Sequence, residues 1–232
     1  MSEKFLVPKN IESNASITLD EYHKMYNESI DNPKAFWSKQ AESLSWIRKF
    51  EEVKKTSFIG NVDIKWFNGG ELNVAYNCLD RHLKDKSEKA AIIWEGDDPR
   101  ESITYTYKEL HAQVCKFSNA LRNLGVQKGD RVTIYLPMIP EAAIAMLACS
   151  RIGAIHSVVF GGFSPDSLRN RIKDCSSNTI ITANEGIRGN KKIPLLDNVK
   201  ESIKDLNFVK NVIVIRRTKK EDELDTNFHW YH

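Results

Sequence analysis

The sequence predicts an α/β fold: a doubly wound parallel sheet preceded by a mainly helical segment. Three observations predict it. Gly129 to Asp166 is the most apolar stretch of a charge-rich chain, and its punctuation reads strand, helix, strand and glycine turn. Further strand-like and helix-like segments alternate from there to Ile215. The residues before about Leu83 lack this alternation and carry helix-start signals instead. A strand–helix–strand order implies a parallel pair whose crossover helix covers one face of the sheet.

In the first segment, Thr18-Leu19-Asp20-Glu21-Tyr22 opens one helix, and Asn32-Pro33 opens a second that runs through Phe36, Trp37 and Leu44 to Trp46. Proline suits a first helical position, where its missing N–H costs nothing. Val62, Ile64 and Trp66 alternate with charged residues, as in a short half-buried strand, and Asn68-Gly69-Gly70 turns the chain. Leu72 to Leu83 reads as a helix with Ala75, Cys78 and Leu79 on its apolar side. This places a helical segment at residues 1–85 and the α/β part at 86–232.

Ala90–Trp94 and Ile103–Tyr105 read as a hairpin closed by Gly96-Asp97-Asp98-Pro99, whose two acids are expected to be solvated turn residues. Thr106 and Glu109 form a capping box before a helix whose stripe is Leu110, Val114, Phe117, Leu121 and Leu124. His111 lies beside that stripe, one turn before Cys115, and reads as a surface or satisfied histidine. Val132, Ile134 and Leu136 make a strand, Pro140 starts the crossover helix, Gly153 ends it, and Ala154–Phe160 is the next strand. Ser164 and Pro165 start another helix. Thr179–Thr182, Pro194–Leu206 and Val212–Ile215 continue as strand, helix and strand. His156, inside an apolar strand, is expected to be packed.

The formal charge of +3, from 34 Lys and Arg against 31 Asp and Glu, gives no basic stripe and argues against a nucleic-acid partner. Four scattered cysteines make neither a disulfide framework nor a zinc site. Cys115 and Cys149, in apolar helical patterns, are expected to be buried as small hydrophobes. The opening residues carry no apolar signal region, and the longest uncharged run, Ile152–Pro165, is too short to span a membrane. A cytoplasmic protein is expected.

Open parallel sheets bind ligands beyond the carboxyl ends of their strands, so two loops are candidates. Phe160-Gly161-Gly162-Phe163-Ser164 puts two glycines before a helix N-terminus, which fits either a tight turn or close approach of an anion. Ala183 to Lys192 joins glycines to Arg188 and Lys191, which fits either a solvated loop or a phosphate grip. Asp80-Arg81-His82 offers no acid–base pair within itself, because adjacent helical residues do not face each other.

Longer strings then point to a family. Asn32-Pro33-Lys34-Ala35-Phe36-Trp37, Trp66-Phe67-Asn68-Gly69-Gly70-Glu71-Leu72-Asn73, Tyr76–Leu83, Ile92-Ile93-Trp94-Glu95-Gly96-Asp97-Asp98-Pro99 and Val158-Val159-Phe160-Gly161-Gly162-Phe163-Ser164 resemble the adenylate-forming acyl-CoA synthetases. Within that family the wording is most similar to the acetate–CoA ligases, with propionyl-CoA synthetases close by. The resemblance runs from about Leu19 to about Ile215. It implies a two-step reaction, in which ATP adenylates acetate and the CoA thiol then takes the acetyl group. It implies CoA and ATP as substrates, with Mg2+ expected for the intact enzyme. For this chain it implies CoA binding by Phe160, Gly161 and Gly162 and by the basic loop Arg188, Gly189, Asn190 and Lys191. Asn190 and Lys191 stand where the family commonly has a small residue and an arginine.

The family's phosphate loop, adenine and acetate pockets, hinge and catalytic lysine are expected beyond His232, as is the metal site. The chain is therefore expected to be partial, to carry no catalytic residue and to catalyse neither half-reaction alone. Small-molecule partners are implied, and an apolar edge left open is expected to cause self-association. A stand-alone CoA- or nucleotide-binding module is the alternative.

Overall fold

The computed structural model describes residues 5–189 and 191–231, and the chain divides into two compact units, one up to Leu72 and one from Asn73 onward. The first unit contains helices α1 (Lys9–Ser13), α2 (Leu19–Asp31) and α3 (Pro33–Ala41), followed by the antiparallel strands β1 (Glu52–Ser57) and β2 (Asp63–Asn68). Thr18 caps α2 reciprocally: its N–H donates to Glu21 Oε2 at 2.8 Å, and its Oγ1 accepts from the Glu21 N–H at 3.3 Å. The helix from Pro33 ends at Ala41 rather than reaching Trp46. Trp46 instead turns back, donating its indole N–H to the Ala41 carbonyl at 2.9 Å and meeting Phe50 edge-on and Phe67 at a tilt. The expected inward face of Val62, Ile64 and Trp66 is exposed, and β2 contributes Phe67 to that aromatic cluster.

In the second unit, the expected helix from Leu72 to Leu83 is broken into α4 (Val74–Cys78), a 3-10 turn (Asp80–His82) and α5 (Leu83–Lys86). Strands β3 (Ala90–Glu95) and β4 (Ser102–Thr106) form the predicted hairpin, and α6 (Tyr107–Asn123) follows it behind the predicted capping box. The parallel sheet then forms from β5 (Arg131–Tyr135), β6 (Ile155–Val158), β7 (Thr179–Ala183), β10 (Asn211–Ile215) and β11 (Phe228–Trp230). Between them come α7 (Pro140–Ile152), α8 (Pro165–Cys175), the short strands β8 (Gly186–Arg188) and β9 (Lys191–Ile193), and α9 (Leu195–Ile203).

The spatial order is β6-β5-β7-β10-β11, with every neighbouring pair parallel. The chain moves one way from β5 to β6 and the other way from β6 to β7 and β10. Right-handed crossovers therefore put α7 on one face and α8 and α9 on the other. Accordingly α6 packs on α7, and α8 packs on α9. The reversal leaves a crevice at the carboxyl ends of β5 and β7, the switch point where such sheets take ligands. β5, β7 and β10 are buried almost throughout because helices cover both faces.

The edge position of β6 changes one expectation. His156 is exposed, not packed, and Ile155 and Val158 are exposed beside it. An apolar run marks a strand, but it does not reveal which strand will be the edge.

Candidate functional site

The crevice begins at Tyr135, the last residue of β5, which is buried completely. Burial raises its phenol pKa, with a hydrogen bond from Asn198 partly opposing the shift. The Tyr135 hydroxyl donates to the Phe163 carbonyl at 2.8 Å and accepts from Asn198 Nδ2 at 3.1 Å. That hydroxyl therefore ties the end of β5 to the turn after β6 and to α9. Sequence periodicity marks Tyr135 as a strand residue but cannot show that its hydroxyl crosses to another loop.

Phe160, Gly161 and Gly162 form the turn predicted between β6 and α8. Ser164 caps α8, with its Oγ accepting from the Ser167 N–H at 3.4 Å. Phe160 is 59% exposed and meets Phe163 edge-on at 5.8 Å. Gly161 has a packing reason for being glycine, because a Cβ there would lie 3.1 Å from the Leu136 carbonyl oxygen. The two readings of this turn thus coexist: Gly161 fits its own chain closely, while Phe160 is left open on the surface.

The second candidate segment is not a loop. Residues 186–188 and 191–193 pair antiparallel, with Gly186 opposite Ile193, Ile187 opposite Lys192 and Arg188 opposite Lys191. Pattern reading misses this hairpin because three-residue strands are too short to show an alternation. Its base packs on the first loop. The two δ-methyls of the buried Leu195 face Gly161 and Gly186, at 3.7 and 3.3 Å from where their Cβ atoms would lie. One leucine therefore brings the two predicted segments together.

At the exposed tip, Gly189 adopts a left-handed φ of +57°, and its N–H donates to the Asp97 carboxylate. Asn190 lies outside the described residues. Asp98 folds onto Arg100 in a local ion pair, as a solvated turn residue should, but Asp97 reaches the hairpin tip. Arg188 and Lys191 are exposed, directly opposed, and without a carboxylate partner among the described residues. Lys192, one position further, pairs with Glu185 Oε2 at 3.3 Å.

Asn184, also absent from the sequence reading, holds the far wall. It is completely buried; its Nδ2 donates to the Thr218 and Lys220 carbonyls, and its Oδ1 accepts from the Glu185, Arg217 and Thr218 N–H groups. The Thr218 hydroxyl donates to Glu185 at 2.6 Å. That bond lowers the Glu185 carboxyl pKa, burial opposes it, and Lys192 and Lys220 add to the lowering. The result is a hydrogen-bonded platform next to a hairpin whose Arg188 and Lys191 have no carboxylate partner among the described residues.

The two segments thus offer an open aromatic turn and a cationic tip two residues beyond the hairpin base. The profile described as AMP-binding enzyme matches residues 79–231, which comprise most of the α/β unit. The chain belongs to the AMP-binding enzyme family. The segment ahead of it, residues 22–78, matches the profile described as acetyl-coenzyme A synthetase N-terminus.

Members of the AMP-binding enzyme family similar to this chain include an acetyl-coenzyme A synthetase from Syntrophus aciditrophicus. It is 54% identical over 92% of this chain and 33% of its own length. One from Bradyrhizobium is 53% identical over 100% of this chain and 36% of its own. The chain thus spans about a third of the length of the curated relatives it matches. Among solved structures, the acetoacetyl-CoA synthetase from Streptomyces lividans superposes with a TM-score of 0.81 at 26% identity. That match covers 90% of this chain and 32% of the other. The parallel α/β architecture expected from the sequence is therefore that of a solved acyl-CoA synthetase, with the helical segment ahead of it.

Proposed function

We propose that this chain is part of an acetate–CoA ligase, which makes acetyl-CoA from acetate, ATP and CoA through an acetyl-adenylate, and that it supplies one side of the CoA site. The carrying observation is the hairpin tip, where Arg188 and Lys191 stand opposite each other with no carboxylate partner among the described residues. Like charges directly across a strand pair repel, and an anion between them relieves that repulsion. CoA offers such anions in its pyrophosphate and its 3′-phosphate. Arg188 meets a phosphate with a planar fork, and Lys191 meets it as a point charge. Gly189, next to Arg188 in the chain, has a left-handed φ, and its N–H donates to the Asp97 carboxylate. Phe160, Gly161 and Gly162 then lie along the less polar part of the coenzyme.

The names of the relatives support acetate as the acid activated. ATP brings Mg2+ in this reading, but no group of three or more acidic, histidine or cysteine residues among the described residues could hold a metal ion. No helix among the described residues is long and apolar enough to cross a membrane. A cytoplasmic setting and small-molecule partners complete the reading, with self-association through the exposed β6 edge.

Isothermal titration of the chain with CoA, dephospho-CoA and pantetheine tests it. CoA should bind more tightly than pantetheine. Arg188→Ala should weaken CoA about tenfold, the cost of losing a charge-assisted contact, and leave pantetheine unchanged. Equal affinity of the wild type and Arg188→Ala for CoA would overturn the assignment.

A further inference from the structure

A second cluster of reactive groups lies in the α/β unit, on residues to which the CoA reading gives no role. His111 and Cys115 are one turn apart on α6, so they share a face. The Cys115 sulfur lies 3.6 Å from His111 Nε2 and 4.0 Å from Nδ1. The same Nε2 lies 3.2 Å from Asp80 Oδ1. Asp80 is in turn held by Arg151, whose NH1 and NH2 donate to its two oxygens at 3.1 and 2.5 Å. His111 is thus a satisfied histidine, as expected, but its partners are a carboxylate and a thiol.

Cys115 is also not the buried hydrophobe that its helical pattern suggests. It is partly exposed and opens into a groove of about 620 Å3 lined by Asn119, Arg122, Lys128 and Arg151. No acidic residue lines that groove, and neither Arg122 nor Lys128 has a carboxylate partner among the described residues. A volume of this size accommodates a tripeptide-sized ligand. Cationic walls concentrate anionic reactants.

We propose that Cys115 is a site of thiol–disulfide exchange with an anionic low-molecular-weight disulfide of the glutathione type. With Nε2–H donated to Asp80, His111 takes the thiol proton on Nδ1, 4.0 Å from the sulfur, and Asp80, fixed by Arg151, faces the resulting imidazolium. The Cys115 thiolate attacks one sulfur of the incoming disulfide, whose S–S bond breaks as the new one forms. The other half leaves as a thiolate and takes up the proton, so one disulfide is consumed and one mixed disulfide is made. Arg122 and Lys128 bind the carboxylates of the incoming molecule. The other three cysteines provide built-in comparison: Cys78 is exposed and Cys175 partly exposed, both outside this groove, and Cys149 is fully buried.

The test is to expose the chain to oxidised glutathione and map mixed disulfides by peptide mass spectrometry over time. A neutral disulfide, bis(2-hydroxyethyl) disulfide, is run in parallel. Cys115 should lead Cys78 by about fivefold or more with oxidised glutathione, and the lead should shrink in about 0.5 M salt. The double variant Arg122→Ala/Lys128→Ala should slow Cys115 with oxidised glutathione but not with the neutral probe. His111→Asn should slow it with both. The proposal is overturned if Cys78 reacts as fast as Cys115 with oxidised glutathione. An unchanged Cys115 rate in the double variant or in His111→Asn would also overturn it. The wild-type comparison needs no variant and therefore stands even if one of them fails to fold.

Discussion

Asp80 and Arg151 meet in a two-pronged ion pair that pins the 3-10 turn after α4 to the last turn of α7. Both side chains are largely buried, at 21% and 23% exposure, and Arg151 Nε has no partner among the described residues. Burial pushes the Asp80 carboxyl pKa upward. The Arg151 guanidinium and His111 outweigh it, so the net shift is downward. A lowered carboxyl pKa contributes stability above the unfolded value of about 4, and that contribution is lost as pH falls through the folded value. Asp80→Asn should therefore destabilise the chain by about 1–3 kcal/mol at pH 7 in urea unfolding. The gap between variant and wild type should narrow below about pH 4. A gap independent of pH would mean that the pair acts by shape alone.

Gly161 and Gly186 face the same leucine but should respond differently to alanine. At Gly161 the new methyl meets the Leu136 carbonyl at 3.1 Å, a backbone group that cannot turn aside. At Gly186 the nearest atom is a Leu195 methyl at 3.3 Å, on a side chain that can shift slightly. Gly161→Ala should cost about 1–3 kcal/mol as overpacking, and Gly186→Ala clearly less. Comparing the two denaturation midpoints checks the order.

Legibility in the sequence followed the range of the interaction. The capping box at Thr106, the Ser164 cap and the glycine that ends α7 were readable because each is settled within a few residues. The parallel sheet was readable because β5, β7 and β10 are apolar enough to need cover on both faces. The place of β6 at the edge is set by long-range pairing that no local pattern carries, which is why His156 is exposed where an apolar strand suggests packing. Of the candidate site, Phe160 to Gly162 and Arg188 were visible as residues. What joins them was not: Leu195 between two glycines, the Tyr135 hydroxyl on Phe163, and Asp97 on Gly189. Each of these contacts spans at least nine residues of chain, with Asp97 and Gly189 92 apart, and no local pattern encodes them. The break at Leu79 was hidden for a similar reason, because it lets Asp80 reach Arg151, 71 residues away.

Asn184 is a sharper case of a residue that composition cannot flag. Its amide donates to two carbonyls and accepts from three N–H groups of the segments around it, with no exposure to water. Asn184→Asp keeps the shape but replaces the donor with a charged acceptor facing the Thr218 and Lys220 carbonyls. Buried groups left unsatisfied or mispaired each cost about 1–3 kcal/mol, so a loss of about 3 kcal/mol is expected. Asn184→Ala should be similarly damaging. Urea unfolding with tryptophan fluorescence measures both, and a loss under about 1 kcal/mol would show that water replaces the network.

The hairpin tip yields a prediction that needs no coenzyme. Arg188 and Lys191 stand opposite each other in the β8–β9 register, and no described carboxylate neutralises either side chain. Like charges in that position repel, so the free chain holds its tip at a cost that an anion or a substitution can remove. Lys191→Glu turns the repulsion into a cross-strand ion pair and should raise stability slightly, by about 0.2–1 kcal/mol. The same change should abolish stabilisation by pyrophosphate, which ought to raise the wild-type melting temperature in proportion to its binding. The two effects have opposite signs, so a general loss of fold cannot mimic them. Melting curves of both proteins, with and without pyrophosphate at constant ionic strength, would show the crossing. If pyrophosphate stabilises Lys191→Glu as much as wild type, the anion sits elsewhere.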